Sequence, residues 1–278
     1  MQLGIRIHDG ENLPLEELLP ILRKRGFSCG HIALSKSINE YSTAVSALTP
    51  GFAMYLKNLF SKNSLDIAVL GCYLNLANPD SKQLSRITDK YKAHIRFASH
   101  LGCGVVGTET GAPNTEYKYE LACHTDKALE IFINNLIPIV EYAEKMGVIL
   151  AIEPVWKHIV YSPERARKVL DEINSPNLQI IFDPVNLLCY DNYKDRNNIF
   201  RRAIELLGKD IAVVHIKDFV VRDEEIVSVA AGAGEMDYTD IIRFIKSEKP
   251  YIHVTLENTG PVNAEESRRF IQSVWDRM

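Results

Sequence analysis

Eight short runs rich in Ile, Val and Leu recur along this chain, at 3–8, 31–34, 66–73, 104–109, 148–153, 178–183, 211–217 and 251–257. Apolar residues are nearly continuous within each run, the pattern of strands buried on both faces, as parallel strands are. Helical spacing fills the intervals. In 81–101, Leu84, Ile87, Tyr91, Ile95 and Ala98 share one stripe, and in 125–146 Leu129, Phe132, Ile133, Leu136 and Val140 do the same. Thr49-Pro50 and Ser162-Pro163 read as N-caps followed by Pro at the first helical position, and Asp237 and Asn263 as caps of the last two helices. Gly26, Gly102, Gly147 and Gly208 are expected as left-handed helix ends. Pro20 and Pro138 are expected to kink or shorten their helices.

Strands alternating with helices in one series leave an open doubly wound sheet or a closed cylinder. The open dinucleotide-binding sheet needs a glycine-rich first turn. Here the first strand runs into HDGENLPLEE, with no GxGxxG, and GAGE at 232–235 comes after the seventh strand. The expected class is therefore α/β, a (β/α)₈ barrel. With no linker, low-complexity tract or repeat, residues 1–278 are expected to form a single domain.

A formal charge of −4 and the lack of a basic stripe argue against nucleic acid. No apolar run is long enough to span a bilayer, and the N-terminal MQLGIRIHDG lacks a signal-peptide core, so no membrane association or export is expected. Five scattered cysteines without a CxxC pair predict free thiols in a reducing cytoplasm. The composition is compatible with a homo-oligomer.

The chemistry lies in the second half. VILAIE ends at Glu153, LQIIFD at Asp183, IAVVHIKD carries His215, and YIHVTLE ends at Glu257. In a barrel all carboxyl strand ends meet at one rim, where active sites sit. One carboxylate at a strand end is explained by a cap or an ion pair. Three carboxylates and an imidazole packed together need a cation among them. That donor set predicts one divalent metal ion, Mn²⁺ in preference to Mg²⁺, Co²⁺, Fe²⁺ or Zn²⁺, and the lack of thiolate argues against structural zinc.

GCYLNLANPD at 71–80, GTETGAP at 107–113, AIEPV at 151–155, FDPVN at 182–186, HIKD at 215–218, GAGEMDY at 232–238 and TLEN at 255–258 resemble the sugar-phosphate isomerase/epimerase family of xylose-isomerase-like TIM barrels. Ketose 3-epimerases, hydroxypyruvate isomerase and inosose dehydratase belong to that family, and endonuclease IV is a relative. The resemblance spans nearly the whole chain. It implies that Glu153, Asp183, His215 and Glu257 are the metal ligands and that Glu153 and Glu257 are also the acid/base pair. Many members carry Asp-x-x-His on the sixth strand; this chain has Asn186 at the His position.

The expected reaction is ketose 3-epimerase-like: the metal chelates a carbonyl and its neighbouring hydroxyl, and Glu153 and Glu257 exchange the carbon proton from opposite faces through an enediolate. The expected partner is a small sugar or sugar phosphate. His8, Tyr73, Asn75 and Glu109 close other strands and, with Trp156, His158 and Asn186, are candidates for the sugar-binding wall; packing or capping explains each as simply. Lys217 reads either as a salt bridge to a ligand or as a phosphate contact, and GAGEMDY as a tight turn whose amides can meet phosphate. Residues 219–236 are expected as a lid or short hairpin. The competing functions are an inosose dehydratase-like lyase, an endonuclease IV-like nuclease and a non-catalytic sugar-binding barrel.

Overall fold

The computed structural model describes residues 1–278. Its strands are β1 (Gln2–Arg6), β2 (Cys29–Ile32), β3 (Asp66–Gly71), β4 (Val105–Glu109), β5 (Ile149–Glu153), β6 (Leu178–Phe182), β7 (Ile211–Ile216), β8 (Asp218–Arg222), β9 (Glu225–Val229) and β10 (His253–Leu256). All but β8 and β9 pair in parallel and close on themselves in the order β1-β10-β7-β6-β5-β4-β3-β2, an eight-stranded TIM barrel. The seam is β1 against β10, with Gly4 beside Thr255 and Ile5 beside Leu256. The eight expected strands are thus all present. The second lies two residues earlier than its apolar run, because Cys29 and Gly30 pair with β1 before the chain leaves at Ala33.

Around the cylinder run α1 (Leu15–Lys24), α2 (Leu34–Ser37), α3 (Pro50–Lys62), α4 (Ser81–Leu101), α5 (Asp126–Met146), α6 (Pro163–Ile173), α7 (Arg196–Leu207), α8 (Thr239–Glu248) and α9 (Ala264–Asp276). Local chemistry sets most boundaries. Thr49 Oγ1 accepts from Phe52 N at 3.2 Å and Ser162 Oγ from Arg165 N at 3.3 Å, each with Pro at the first position. Gly102 and Gly147 end α4 and α5 in the left-handed region, at φ 76° and 65°.

Several expectations are corrected. Gly208 is right-handed, at φ −50°, because α7 runs on into a 3₁₀ turn at Gly208–Asp210. Pro20 and Pro138 sit inside uninterrupted helices. Each lies on an exposed face, where the carbonyl four residues earlier, of Glu16 or Asn134, meets water instead of a lost donor. Asn263 occupies the position before α9 but turns its Oδ1 to Gly260 N, 2.8 Å away, while Asp237 sits one residue before the N-cap of α8 and accepts from Thr239 N at 2.9 Å.

The core has two parts. Small and branched residues, among them Ala68, Val69, Val105, Ala151, Ile181 and Val213, fill the inside of the cylinder as a separate cluster. A larger cluster lies between the strands and the helices. The interior layer nearest the carboxyl ends is polar: His31, Thr108, His215 and Thr255 are all fully buried there. Gly71 makes room for this layer, since a Cβ on it would stand 2.8 Å from both the His31 and Tyr73 rings. No helix is long and apolar enough to cross a membrane, and all five cysteines are free.

Candidate metal centre

Four strand ends bring together one buried cluster. Glu153 is the last residue of β5, Asp183 follows β6, His215 is the fifth residue of β7, and Glu257 follows β10. One donor atom from each lies within 4.8 Å of all the others, and none of the four residues is more than 5% exposed. His215 Nδ1 stands 3.4 Å from Glu153 Oε1 and 3.2 Å from Glu257 Oε1. The strands deliver these groups because apolar packing fixes the cylinder while the carboxyl ends of its strands open on one polar rim.

Positive charge compensates the cluster from two sides. Lys217 Nζ lies 2.8 Å from Asp183 Oδ2, as an ion pair without hydrogen-bond alignment, and donates to Glu257 Oε2 at 3.3 Å. Arg6 Nη1, from across the seam, is 3.6 Å from Glu257 Oε1. The titration behaviour follows. Burial pushes the Asp183 carboxyl up, against the pull of Lys217, to about 6. Burial acts the same way on Glu257 but is overcome by His215, Lys217 and Arg6, which hold its carboxyl well below the usual range. Burial disfavours the His215 imidazolium, yet Glu257 and Glu153 outweigh it and raise its pKa to about 9. A tightly packed anionic site has drawn protons and a lysine into itself.

The residues fit a divalent cation. His215 Nε2 is a buried atom without a hydrogen-bond partner, an orphan that is expensive unless a ligand meets it, and Asp183 Oδ2 beside it has only the Lys217 ion pair. Three carboxylates and one imidazole suit a hard or borderline ion. The orienting contacts are also present. Asn186 Nδ2 donates to Glu153 Oε1 at 2.7 Å, and Asp183 Oδ1 accepts from Val185 N at 3.0 Å and Asn186 N at 3.3 Å, which leaves its other oxygen for the cluster.

The other candidates divide. Tyr73 is at the centre, its hydroxyl 3.5 Å from His31 Nε2 and its ionisation suppressed by burial and by Glu153, Glu257 and Glu109. Glu109 pairs in register with Glu153 on the neighbouring strand; its Oε2 accepts from Tyr117 at 3.0 Å and lies 3.9 Å from His158 Nδ1. Burial keeps His158 neutral, with a pKa lowered to about 4, and His8 is likewise lowered to about 4 by burial and by Arg6 and Lys36. Trp156 is half-buried beside Tyr119 and His124, and its amide donates to Asn186 O at 2.7 Å. Asn75 is spent on the backbone: Oδ1 accepts from Ala77 N and Ala112 N, and Nδ2 donates to Asn114 O. It ties two loops together behind the rim.

Lys217 forms ion pairs with the carboxylates of Asp183 and Glu257. The GAGEMDY segment forms the expected turn, and some of its amides are engaged within the chain. Asp218 plugs it, accepting from Phe219 N at 2.8 Å, Gly232 N at 3.1 Å and Met236 N at 2.8 Å. Residues 218–229 form the expected hairpin, β8 against β9, turning at Asp223 and Glu224 with φ 47° and 61°.

Two residues escaped the sequence reading. His31, 1% exposed, stacks on His215 with ring centroids 5.2 Å apart and joins His215 and Glu257 in a second close group of donors. The signal was there, a single imidazole inside an apolar strand, but a lone core histidine carries little weight. Arg6 carries no signal in the sequence, because nothing local reveals that β1 lies beside β10.

The family described as xylose isomerase-like TIM barrel matches residues 19–274. No curated protein sequence matches the chain. Among solved structures, a D-tagatose 3-epimerase-like protein is similar over 100% of this chain and 98% of its own, with 19% identity and a TM-score of 0.78. The D-psicose 3-epimerase of Clostridium cellulolyticum H10, solved with D-tagatose, is similar over 99% of both chains, with 14% identity and a TM-score of 0.73. The IOLI protein, solved with a zinc atom, covers 100% and 99% with 19% identity and a TM-score of 0.74. At these identities the likeness shows the shared fold.

Proposed function

This chain belongs to the xylose isomerase-like TIM barrel family, and from that premise we propose that it is a metal-dependent sugar isomerase or epimerase of the ketose 3-epimerase type. The observation that carries the reading is the convergence of Glu153, Asp183, His215 and Glu257 within 4.8 Å, with two of the carboxylates on strands that are not neighbours in the cylinder. Glu153, Asp183, His215 and Glu257 would hold a divalent ion. That ion supplies Lewis-acid polarisation of a sugar carbonyl, which acidifies the adjacent C–H.

The protein's own groups divide the proton work. Glu257, at the end of β10 on the far side of the cluster from Glu153, would accept the carbon proton through its carboxylate. Glu153 is held in one orientation by Asn186 Nδ2 and, having taken a proton from solvent, would deliver it to carbon from the other side, while Glu257 releases to solvent the proton it accepted. Tyr73, Glu109 and His158 line the neighbouring wall and are positioned to hold sugar hydroxyls. Return to the opposite face inverts the carbon; return to the adjacent carbon gives aldose–ketose isomerisation.

The test is solvent-deuterium incorporation into free ketoses by the Mn²⁺-loaded protein, with exchange at C3 expected. Both Glu153→Gln and Glu257→Gln are expected to abolish exchange while leaving the fold intact. Full exchange by either variant removes that residue from the mechanism, and exchange unaffected by chelation rejects the metal.

A further inference from the structure

A sugar phosphate needs cations or free amide donors at its binding site, and here those facing the metal-centre candidates are already engaged, while Lys36, exposed and near His8 and Glu109, lies away from the groove described below. Lys217, 5% exposed, is held by Asp183 and Glu257. Arg6 is held by Asp9 at 3.1 Å and by Glu257 at 3.6 Å. In the glycine turn, the amides of Gly232 and Met236 are taken by Asp218.

What adjoins the metal centre is a groove of about 350 Å³ between the loops after β5 and β6 and the β8–β9 hairpin. Asn186 belongs to both places, lining the groove while donating to Glu153. The groove wall is apolar and aromatic: Trp156, Val185, Leu188, Tyr190 and Ile226. Its ionisable lining consists of Asp191, Glu224 and Glu225 against the single cation Lys157, all four exposed and none in an ion pair. A dianionic group entering there meets net repulsion, whereas an uncharged apolar group gains burial.

We infer that the substrate is an uncharged sugar bearing an apolar or aromatic substituent that lies in this groove, and not a sugar phosphate. The inference rests on the isomerase/epimerase reading and adds the substrate class to it. The sugar carbons sit at the metal centre, and the substituent extends past Asn186 against Trp156, Leu188 and Ile226. The carboxylates of Asp191, Glu224 and Glu225 fringe the outer end and reject phosphate.

The experiment compares three matched ligands with the full-length, Mn²⁺-loaded protein: D-fructose, D-fructose 6-phosphate and a 6-O-benzyl fructose. Deuterium exchange gives kcat/KM, and protection against thermal unfolding gives binding without turnover. Relative to fructose, the benzyl ether is expected to be better by about tenfold or more and the phosphate worse by about tenfold or more. Glu224→Lys/Glu225→Lys, at the exposed hairpin turn, is expected to raise the phosphate-to-free ratio by about threefold or more. Lys36→Ala, which removes the unpaired cation near His8 and Glu109 but outside the groove, is expected to leave that ratio unchanged. A phosphate equal to or better than fructose overturns the inference while the proposed reaction stands. So does an unchanged ratio in the hairpin variant, a phosphate preference lost with Lys36, or a benzyl ether that neither exchanges nor protects. No exchange with any of the three refutes the reaction itself, and the inference with it.

Discussion

Replacing Lys217 by Met tests the electrostatic account of the centre. The substitution keeps the length of the side chain but removes the charge that sits 2.8 Å from Asp183 and 3.3 Å from Glu257, all three residues being nearly inaccessible. Removing one partner of a buried ion pair costs about 3–5 kcal/mol. For 278 residues, an unfolding entropy of roughly 2.1 cal/mol/K per residue amounts to about 0.6 kcal/mol/K, so Tm of the metal-free variant should fall by about 5–9 °C. The deficit depends on pH. Asp183 has a pKa raised to about 6, so below that value it is protonated even in the parent protein and Lys217 has less to neutralise. The gap is therefore expected to be full at pH 8 and to shrink by pH 5. Saturating Mn²⁺ replaces the missing positive charge and should narrow the gap further. Differential scanning calorimetry at two pH values, with chelator and with Mn²⁺, measures all of this. A metal-free gap below about 2 °C at pH 8, or one that widens on acidification, refutes the account.

Metal affinity should weaken as pH falls below about 9, approaching tenfold per unit, because His215 must lose its proton to become a ligand; calorimetric titration in buffers of different ionisation enthalpy should show about one proton released near neutrality, and a pH-independent constant would contradict the assignment. Asn186→Leu removes the donor that orients Glu153, a charge-assisted bond of about 1.5–3 kcal/mol, and is expected to slow exchange roughly 10- to 150-fold with metal stoichiometry unchanged; a rate within about twofold of the parent denies Asn186 that role. Asp218→Ala strands three backbone amides and should lower stability by about 1–3 kcal/mol in urea unfolding, with proteolytic cutting appearing first within 230–236; unaltered unfolding would show the turn holds itself.

Much of the fold was legible because its signals are local and repeated. Ser81–Leu101 is one helix because an apolar stripe, an Asp80 cap and a left-handed Gly102 agree over consecutive residues. The four metal-ligand candidates were legible for a different reason: three end an apolar run and His215 lies one residue inside the end of its own, and a closed cylinder sends all such ends to one rim. Residues whose role depends on neighbours distant in sequence could not be read. Arg6 meets Glu257 only because β1 pairs with β10, and His31 reaches His215 only through the hollow of the cylinder. The rotamer-level outcome was equally hidden. Nothing in HIKD says that Lys217 turns inward to two carboxylates while Asp218 turns outward to three amides.

The seam between β1 and β10 also governs when the centre can exist. Glu257 is the last of the four candidate ligands along the chain, and it is contacted by a side chain from the sixth residue. No stretch of polypeptide that stops before the tenth strand contains either the complete donor set or a cylinder able to shut. Ring closure and completion of the donor set are therefore coupled events at the end of assembly, and on the proposed function removing a bound ion should loosen the join between the two ends of the chain before any other part of the wall.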